Sequence, residues 1–450
     1  MKRRHLSAFT TAVTAFFAIN VSLSFFAPIK FDPFKFPYRG WAWWTFDGLK
    51  KASDQRQEHN IALLGSSLMV SAVTCCDANY LKKGLDLTDH HGAEYFDNAL
   101  QKKFGGSFKT YNLAAPGQMP SDAYLTLEAM LATANRPDVV IYGVAPRDFI
   151  DSSLSNPTDT EPFRFLSRLV STDDCAGGLF RDPLGKLQWF IDRNLYLAHH
   201  SLDLQLADSE ALSKLLDKVA AVPYPAKPYT YWERTNLLPR YKAGEIHPNA
   251  ISTHPATREE ARAQFRDNTA EYIERYNKPD ERTYKTQFYF LRKLAQLCRK
   301  ERIELVIVNM PITKQNIAIL KPENYLNYIM ALRFFAQSQG MTACWDLNNF
   351  DIYDQSDYHD FVHLNAFGGA KFFDYLTERL SAETETRNAL TLAGMVLHQR
   401  QGFATRPTID ADKVQQDLTK LLGPIKGKGN PVLRLAIPAN GQNAASGPLM

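Results

Sequence analysis

Cysteine is scarce: the chain has five in 450 residues, Cys75, Cys76, Cys175, Cys298 and Cys344. None has metal-ligand spacing, and so few in so long a chain do not make a disulfide scaffold. The odd count leaves at least one thiol unpaired within the chain, while an oxidising compartment permits a bridge such as one from Cys75 or Cys76 to Cys175. A dominant charge is also lacking. Lys and Arg number 52 against 48 Asp and Glu, a net of +4, and the pI is near 8.6. With no basic stripe interleaved with aromatics, this balance excludes nucleic acid as a partner. There are no internal repeats. His90-His91 and His199-His200 resemble metal ligands only superficially, because adjacent side chains on a helix or strand do not face one another, so neither a metal nor a cofactor is expected.

What is present begins at the N-terminus. Met1-Lys2-Arg3-Arg4 precedes an uncharged stretch over residues 6–28, close to the roughly 20 residues that cross a bilayer core. Basic residues before it predict a cytoplasmic N-terminus. A cleaved signal peptide is the rival reading, but its apolar region is shorter and ends in small residues, which Phe25-Phe26-Ala27-Pro28 does not provide. Residues 1–30 therefore read as a cytoplasmic start and transmembrane anchor. Residues 31–59 form an aromatic-rich juxtamembrane segment, with Trp41, Trp43 and Trp44 suited to the headgroup level. The remainder is 45% hydrophobic and 22% charged overall, ordinary for a globular protein of one large or two smaller domains.

Short apolar runs over residues 60–64, 110–114, 138–144 and 304–310 each stop at a breaker: Gly65-Ser66-Ser67, Pro116-Gly117, Ala145-Pro146 and Pro311. They read as buried parallel strands. Helical spacing over residues 121–134, with Ser121 as cap, lies between the second and third. A charged helical region over residues 258–301, divided by Pro279, precedes the fourth. Strands alternating with helices predict an α/β doubly wound parallel sheet. Residues 60–150 and 258–382 make its two parts, and residues 151–257 a mostly helical insertion, in which Tyr229, Tyr231 and Trp232 are either packing or a sugar or lipid site. Residues 366–380 read as a helix of the second part, residues 383–401 as another within C-terminal helices over residues 383–422, and residues 423–450 as a disordered tail.

Two distant segments carry chemistry. Ser67 follows the first strand, where open α/β sheets place their ligand crevice, and stands at a helix start, whose N–H groups favour a developing oxyanion. Asp360-Phe361-Val362-His363 places a carboxylate three residues before an imidazole, on one side of a turn or first helical winding. A serine hydroxyl needs a base near neutral pKa and a third group to orient that base. Ser67, His363 and Asp360 are candidates for the three roles.

Gly65-Ser66-Ser67-Leu68 resembles the Gly-Asp-Ser-Leu block of the SGNH (GDSL-like) hydrolases, and Asp360-x-x-His363 resembles their last block. Asn112-Leu113-Ala114-Ala115-Pro116-Gly117 is similar to the second block, whose Gly donates a backbone N–H to the oxyanion. The resemblance covers roughly residues 60–150 and 303–380 and implies a flavodoxin-like sheet of SGNH type, with an oxyanion hole formed by the N–H groups of Ser67 and Gly117. Two positions depart from the pattern. Ser66 replaces the Asp of the first block, as in anchored relatives. The third block, Gly-x-Asn-Asp in the family, is here Gly143-Val144-Ala145-Pro146-Arg147-Asp148, without the Asn that donates to the oxyanion. Arg147 is the charged candidate for that slot and Asn112 the neutral one.

The resemblance extends to anchored bacterial proteins of alginate O-acetylation and teichoic-acid D-alanylation. It implies a single-pass protein of the bacterial cytoplasmic membrane with its main domain outside. The implied activity is that of a serine esterase or O-acyltransferase on acyl esters of envelope or secreted polysaccharide. The implied partners are the lipid bilayer, a glycan or acyl-ester substrate, and a membrane-bound acyltransferase. The alternative is a non-catalytic anchored module that keeps the fold and binds glycan or such an acyltransferase.

Overall fold

The computed structural model describes residues 7–26, 57–86, 90–133, 136–153, 156–179, 183–201, 204, 252–339, 343–391 and 416. The chain forms two compact units, one from residues 1–39 and 171–245, the other from residues 40–170 and 246–450. The juxtamembrane aromatics, Tyr229, Tyr231 and Trp232, and the tail beyond residue 422 lie outside the described residues.

The larger unit holds five strands: β1 (His59–Gly65), β2 (Phe108–Asn112), β3 (Val139–Val144), β4 (Glu304–Asn309) and β5 (Ala343–Asp346). All pair in parallel, in the spatial order β2-β1-β3-β4-β5, the order 2-1-3-4-5 of flavodoxin-like doubly wound sheets. Ile61 to Leu64 and Val139 to Tyr142 are fully buried, as strands covered on both faces require. Each such large aliphatic side chain contributes about 1.5–3 kcal/mol on burial. A separate antiparallel pair joins Leu85–Asp86 to Ser252–Thr253.

Among the described residues, the helices of eight residues or more are α1 (Ala8–Phe26), α2 (Ser67–Leu81), α3 (Glu94–Phe104), α4 (Pro120–Ala132), α5 (Pro183–Asn194), α6 (Thr269–Tyr276), α7 (Glu281–Lys300), α8 (Pro322–Gln339) and α9 (Ala366–Ala382). α2, α3 and α9 pack together, as do α4 and α7.

Several boundaries differ from the sequence-based expectation. β2 ends at Asn112 rather than residue 114. The N–H groups of Leu113 and Ala115 still bond the carbonyls of Leu63 and Gly65, but the chain is already bending into the Pro116-Gly117 turn. α4 starts at Pro120, so its cap position is Met119 and not Ser121. Proline favours the first helical position, and Asp122 reaches back to accept the Met119 N–H at 2.8 Å. The region over residues 258–301 divides three ways, into Arg258–Ala263, α6 and α7, with Pro279 in the second break. Residues 157–170 belong to the sheet unit: the Thr160 hydroxyl donates to Asp122 Oδ1 at 2.5 Å, and Phe163 packs on Phe290 with ring centroids 6.3 Å apart. Of the helix expected over residues 383–401, Thr384–Ala389 is described.

The smaller unit contains α1, which is long and apolar enough to cross a membrane, with mean hydropathy 1.6 over its best window. It also contains α5 and a short helix, Tyr196–His199. All five cysteines are buried free thiols.

Candidate active site

The site lies where the sheet order reverses, at the carboxyl ends of β1, β2 and β3, the crevice position of open α/β sheets. β1 runs into α2 with almost no connection: Gly65 ends the strand, Ser66 is the cap position and Ser67 is the first helical residue. Gly65 has φ of +149°, and a Cβ there would come within 2.9 Å of both Gly143 O and Met69 Cβ. Only glycine fits this hinge. The Ser67 hydroxyl is thus mounted at a helix N-terminus, where unsatisfied N–H groups and the helix dipole favour negative charge.

Ser67 Oγ lies 2.7 Å from His363 Nε2, and His363 Nδ1 lies 2.7 Å from Asp360 Oδ2. The local reason for the three-residue spacing is an Asx-type turn. Asp360 Oδ1 accepts the N–H groups of Val362 and His363, each at 2.9 Å, which leaves Oδ2 for the imidazole. Asp360 is 7% exposed and His363 24%. Burial pushes the Asp360 acid upward. The His363 hydrogen bond and charge, with the two backbone N–H groups, outweigh it and hold the carboxyl below its ordinary range.

The loop carrying Asp360 and His363 is fixed from several directions. The Thr313 hydroxyl donates to Phe361 O at 2.8 Å, and Asn268 Oδ1 accepts from Phe361 N at 3.2 Å. Ser71 of α2 donates to Leu364 O at 2.8 Å, and His359 N donates to His363 O at 2.7 Å. Asn365, fully buried, caps α9 by accepting from Phe367 N at 3.0 Å and Gly368 N at 3.2 Å. Its amide also donates to Ser356 O at 2.8 Å.

Gly117 sits in a turn closed by Gln118 N donating to Ala115 O at 2.9 Å. Pro116 followed by Gly117 at φ +80° is the signature of a type II turn. Gln118, wholly buried, clamps this turn to β1: Oε1 accepts Gly65 N at 2.6 Å and Nε2 donates to Leu113 O at 3.0 Å. Neither Ser67 N–H nor Gly117 N–H is taken by an acceptor among the described residues. Asn112, by contrast, turns its side-chain carbonyl to Ala114 N at 3.3 Å and gives its own N–H to His91 O.

Arg147 Nη2 lies 3.8 Å from the point a Cβ on Gly117 would occupy. Its Nε donates to Asp151 Oδ2 at 2.9 Å, and its Nη1 faces Asp148 Oδ1 at 3.5 Å, an ion-pair distance. Asp151 also pairs with Arg275 of α6. The side chain of Arg147 is 11% exposed. Asp148 is buried, and its Oδ2 accepts Ala145 N at 2.9 Å. Burial, opposed chiefly by the Arg147 charge, pushes its acid up to about 6. Asp122, one layer deeper, is pushed by burial to about 7 against the pull of its Thr160 and Met119 hydrogen bonds. Tyr272, buried on α6, lies in the field of both Arg147 and Asp360.

Sequence reasoning missed Gln118, Asn365, Arg275 and Tyr272. Of these only Asn365 carried a local signal, an Asn directly before a helix. No family model matches this chain, and no curated protein does.

Away from the crevice, Asp77, His90 and Glu94 bring one potential ligand atom each within 4.8 Å of one another. His90 Nε2 faces Glu94 Oε2 at 3.2 Å. Asp77 accepts the N–H groups of Glu94 and Tyr95 at 2.9 and 2.8 Å, capping α3, and His90 Nε2 pairs with Asp77 at 2.7 Å. Despite burial, hydrogen bonds and charge from the two carboxylates raise His90 to about 9.

Proposed function

We propose that this chain is a membrane-anchored SGNH-type serine esterase or O-acyltransferase acting on acyl esters of envelope or secreted polysaccharide. The supporting observation is the continuous path from Asp360 Oδ2 through His363 to Ser67 Oγ, two contacts of 2.7 Å, the second between residues 296 positions apart. Position at the sheet's switch point adds to it. α1 supplies the anchor, with the main domain outside the cytoplasmic membrane.

In this mechanism Ser67 Oγ attacks the acyl carbonyl carbon as His363 Nε2 takes the hydroxyl proton. The tetrahedral oxyanion is held by the N–H groups of Ser67 and Gly117, with Arg147 Nη2 in place of the absent Asn. Asp360 holds the imidazole through Nδ1 and stabilises its cationic form. Collapse breaks the ester C–O bond, and His363 Nε2–H protonates the departing alkoxide, leaving acyl-Ser67. Water or a sugar hydroxyl then attacks while His363 accepts its proton. The second collapse releases acid or a new ester, returns that proton to Ser67 Oγ and restores the free enzyme.

The test is labelling and turnover by the full chain in membranes. Wild type reacts covalently with a fluorophosphonate and hydrolyses an aryl acetate; Ser67→Ala does neither. Equal background in both proteins, with no labelling of wild type, refutes the catalytic reading and leaves the glycan-binding module. Labelling without hydrolysis identifies a strict transferase.

A further inference from the structure

The smaller unit contains a helix whose apolar stripe is left exposed. On α5 the residues Leu184, Leu187, Phe190 and Ile191 fall along one side at helical spacing. Leu184 is 73% exposed, Leu187 53% and Phe190 56%. The polar groups of α5 find partners apart from that stripe: Gln188 Nε2 donates to Asp192 Oδ1 within the helix at 2.7 Å, and Arg193 pairs with Asp173 outside it and stands over the Trp189 ring, 5.3 Å from its centroid. A helix bathed in water does the reverse and buries its apolar stripe.

What covers this stripe follows from its neighbour. One residue after α5, the helix Tyr196–His199 docks on α1: Leu197 N–H donates to Asn20 Oδ1 at 2.9 Å, and Asn20, 3% exposed, gives its amide to Phe16 O at 2.8 Å. Asn20 lies six residues before Phe26, the last described residue of α1, about 9 Å along the axis. If α1 spans a bilayer, this contact lies inside the apolar layer by that depth. It matches the ~5–10 Å at which amphipathic helices lie in the headgroup and acyl boundary. The contact also provides the buried polar side chain in a spanning helix with its partner.

We propose that α5 is a second membrane contact, an in-plane helix whose Leu184, Leu187, Phe190 and Ile191 side enters the leaflet beside α1. The inference rests on the anchor reading of α1. Its consequence is a protein held at two points, with the segment after residue 170 tied to the bilayer surface.

The test uses the full chain in vesicles of phosphatidylethanolamine and phosphatidylglycerol, with single nitroxide labels on Leu184→Cys, Leu187→Cys, Gln188→Cys, Phe190→Cys and Asp192→Cys. The native thiols are buried and react slowly. Labels at 184, 187 and 190 are expected to collide preferentially with oxygen, and those at 188 and 192 with a water-soluble nickel chelate, a several-fold swing in the ratio with helical period. Nickel access at all five positions overturns the proposal. Low access to both agents at 184, 187 and 190 also overturns it and identifies a protein covering, a second copy or another segment of this chain. A label at Val13→Cys on α1 separates the two failures: lipid exposure there with water exposure on α5 rejects this inference alone, whereas water exposure at both rejects the anchor.

Discussion

The position of Arg147 gives the sharpest prediction. Its guanidinium uses Nε on Asp151 and Nη1 on Asp148, which leaves Nη2 beside Gly117. Arg147 and Arg275 face three carboxylates, Asp148, Asp151 and Glu271, so the cluster offers no net positive charge to attract an anionic substrate. Its effect is to hold one N–H donor still, as transition-state stabilisation requires. Lysine at position 147 keeps the charge but replaces the rigid fork, whose Nε and Nη2 reach two separate points, with one mobile nitrogen, so once seated on Asp151 it loses the fixed donor beside Gly117. Removing one oxyanion donor costs about 10²–10³ in kcat, or about 2.7–4 kcal/mol. Arg147→Lys is therefore expected to lower kcat for aryl acetate by about that factor with KM little changed. Arg147→Ala also leaves two buried carboxylates short of a cation, a loss of about 3–5 kcal/mol in stability, visible as a lowered melting temperature. Added guanidinium should restore part of its turnover. Wild-type kcat in Arg147→Lys, or a rise in KM alone, refutes the donor role and makes Arg147 a structural ion pair or a ground-state contact.

Asp360→Asn keeps an oxygen for the turn but donates to Nδ1, forcing the wrong tautomer; kcat should fall about 10⁴-fold while the melting temperature changes little, and a parallel collapse of both would contradict the division of labour between Oδ1 and Oδ2. Asn365→Ala removes the α9 cap at a cost of about 1–2 kcal/mol, read as a lower urea midpoint, and should loosen the loop that carries His363 and reduce kcat. Asp122 has a folded pKa of about 7 against 3.8 ordinarily, so between those values the folded chain binds more protons than the unfolded one and stability falls as pH rises through that window. Asp122→Asn should flatten the melting-temperature slope from about pH 4 to pH 7, and an unchanged slope would place the titration elsewhere.

Much of this geometry was legible in the sequence because its signals are local. Gly65, Pro116-Gly117 and Ala145-Pro146 stop their strands where hinge or turn geometry demands, and the Asp360 to His363 spacing encodes a turn that needs no distant partner. β5 was missed. Its four residues, Ala-Cys-Trp-Asp, are too few for a period, and its place at the sheet edge is decided by pairing with β4. Ser121 was misread as a cap because a hydroxyl near a helix start is a weaker signal than proline in the first turn. Gln118 clamps Gly65 across 53 positions, and Arg275 reaches Asp151 across 124. Neither contact leaves a trace in spacing, since each exists only once the sheet has brought the two segments together.

The Asx-type turn at Asp360 makes the tetrapeptide a molecular ruler. One carboxylate sets the chain's path with its first oxygen and the ring's angle with its second, so the length of the arm and the number of intervening residues are a single dimension. Glutamate is a methylene too long to satisfy both, and one inserted residue between 360 and 363 would uncouple them. Insertions and deletions in this loop therefore have to fall outside those four positions.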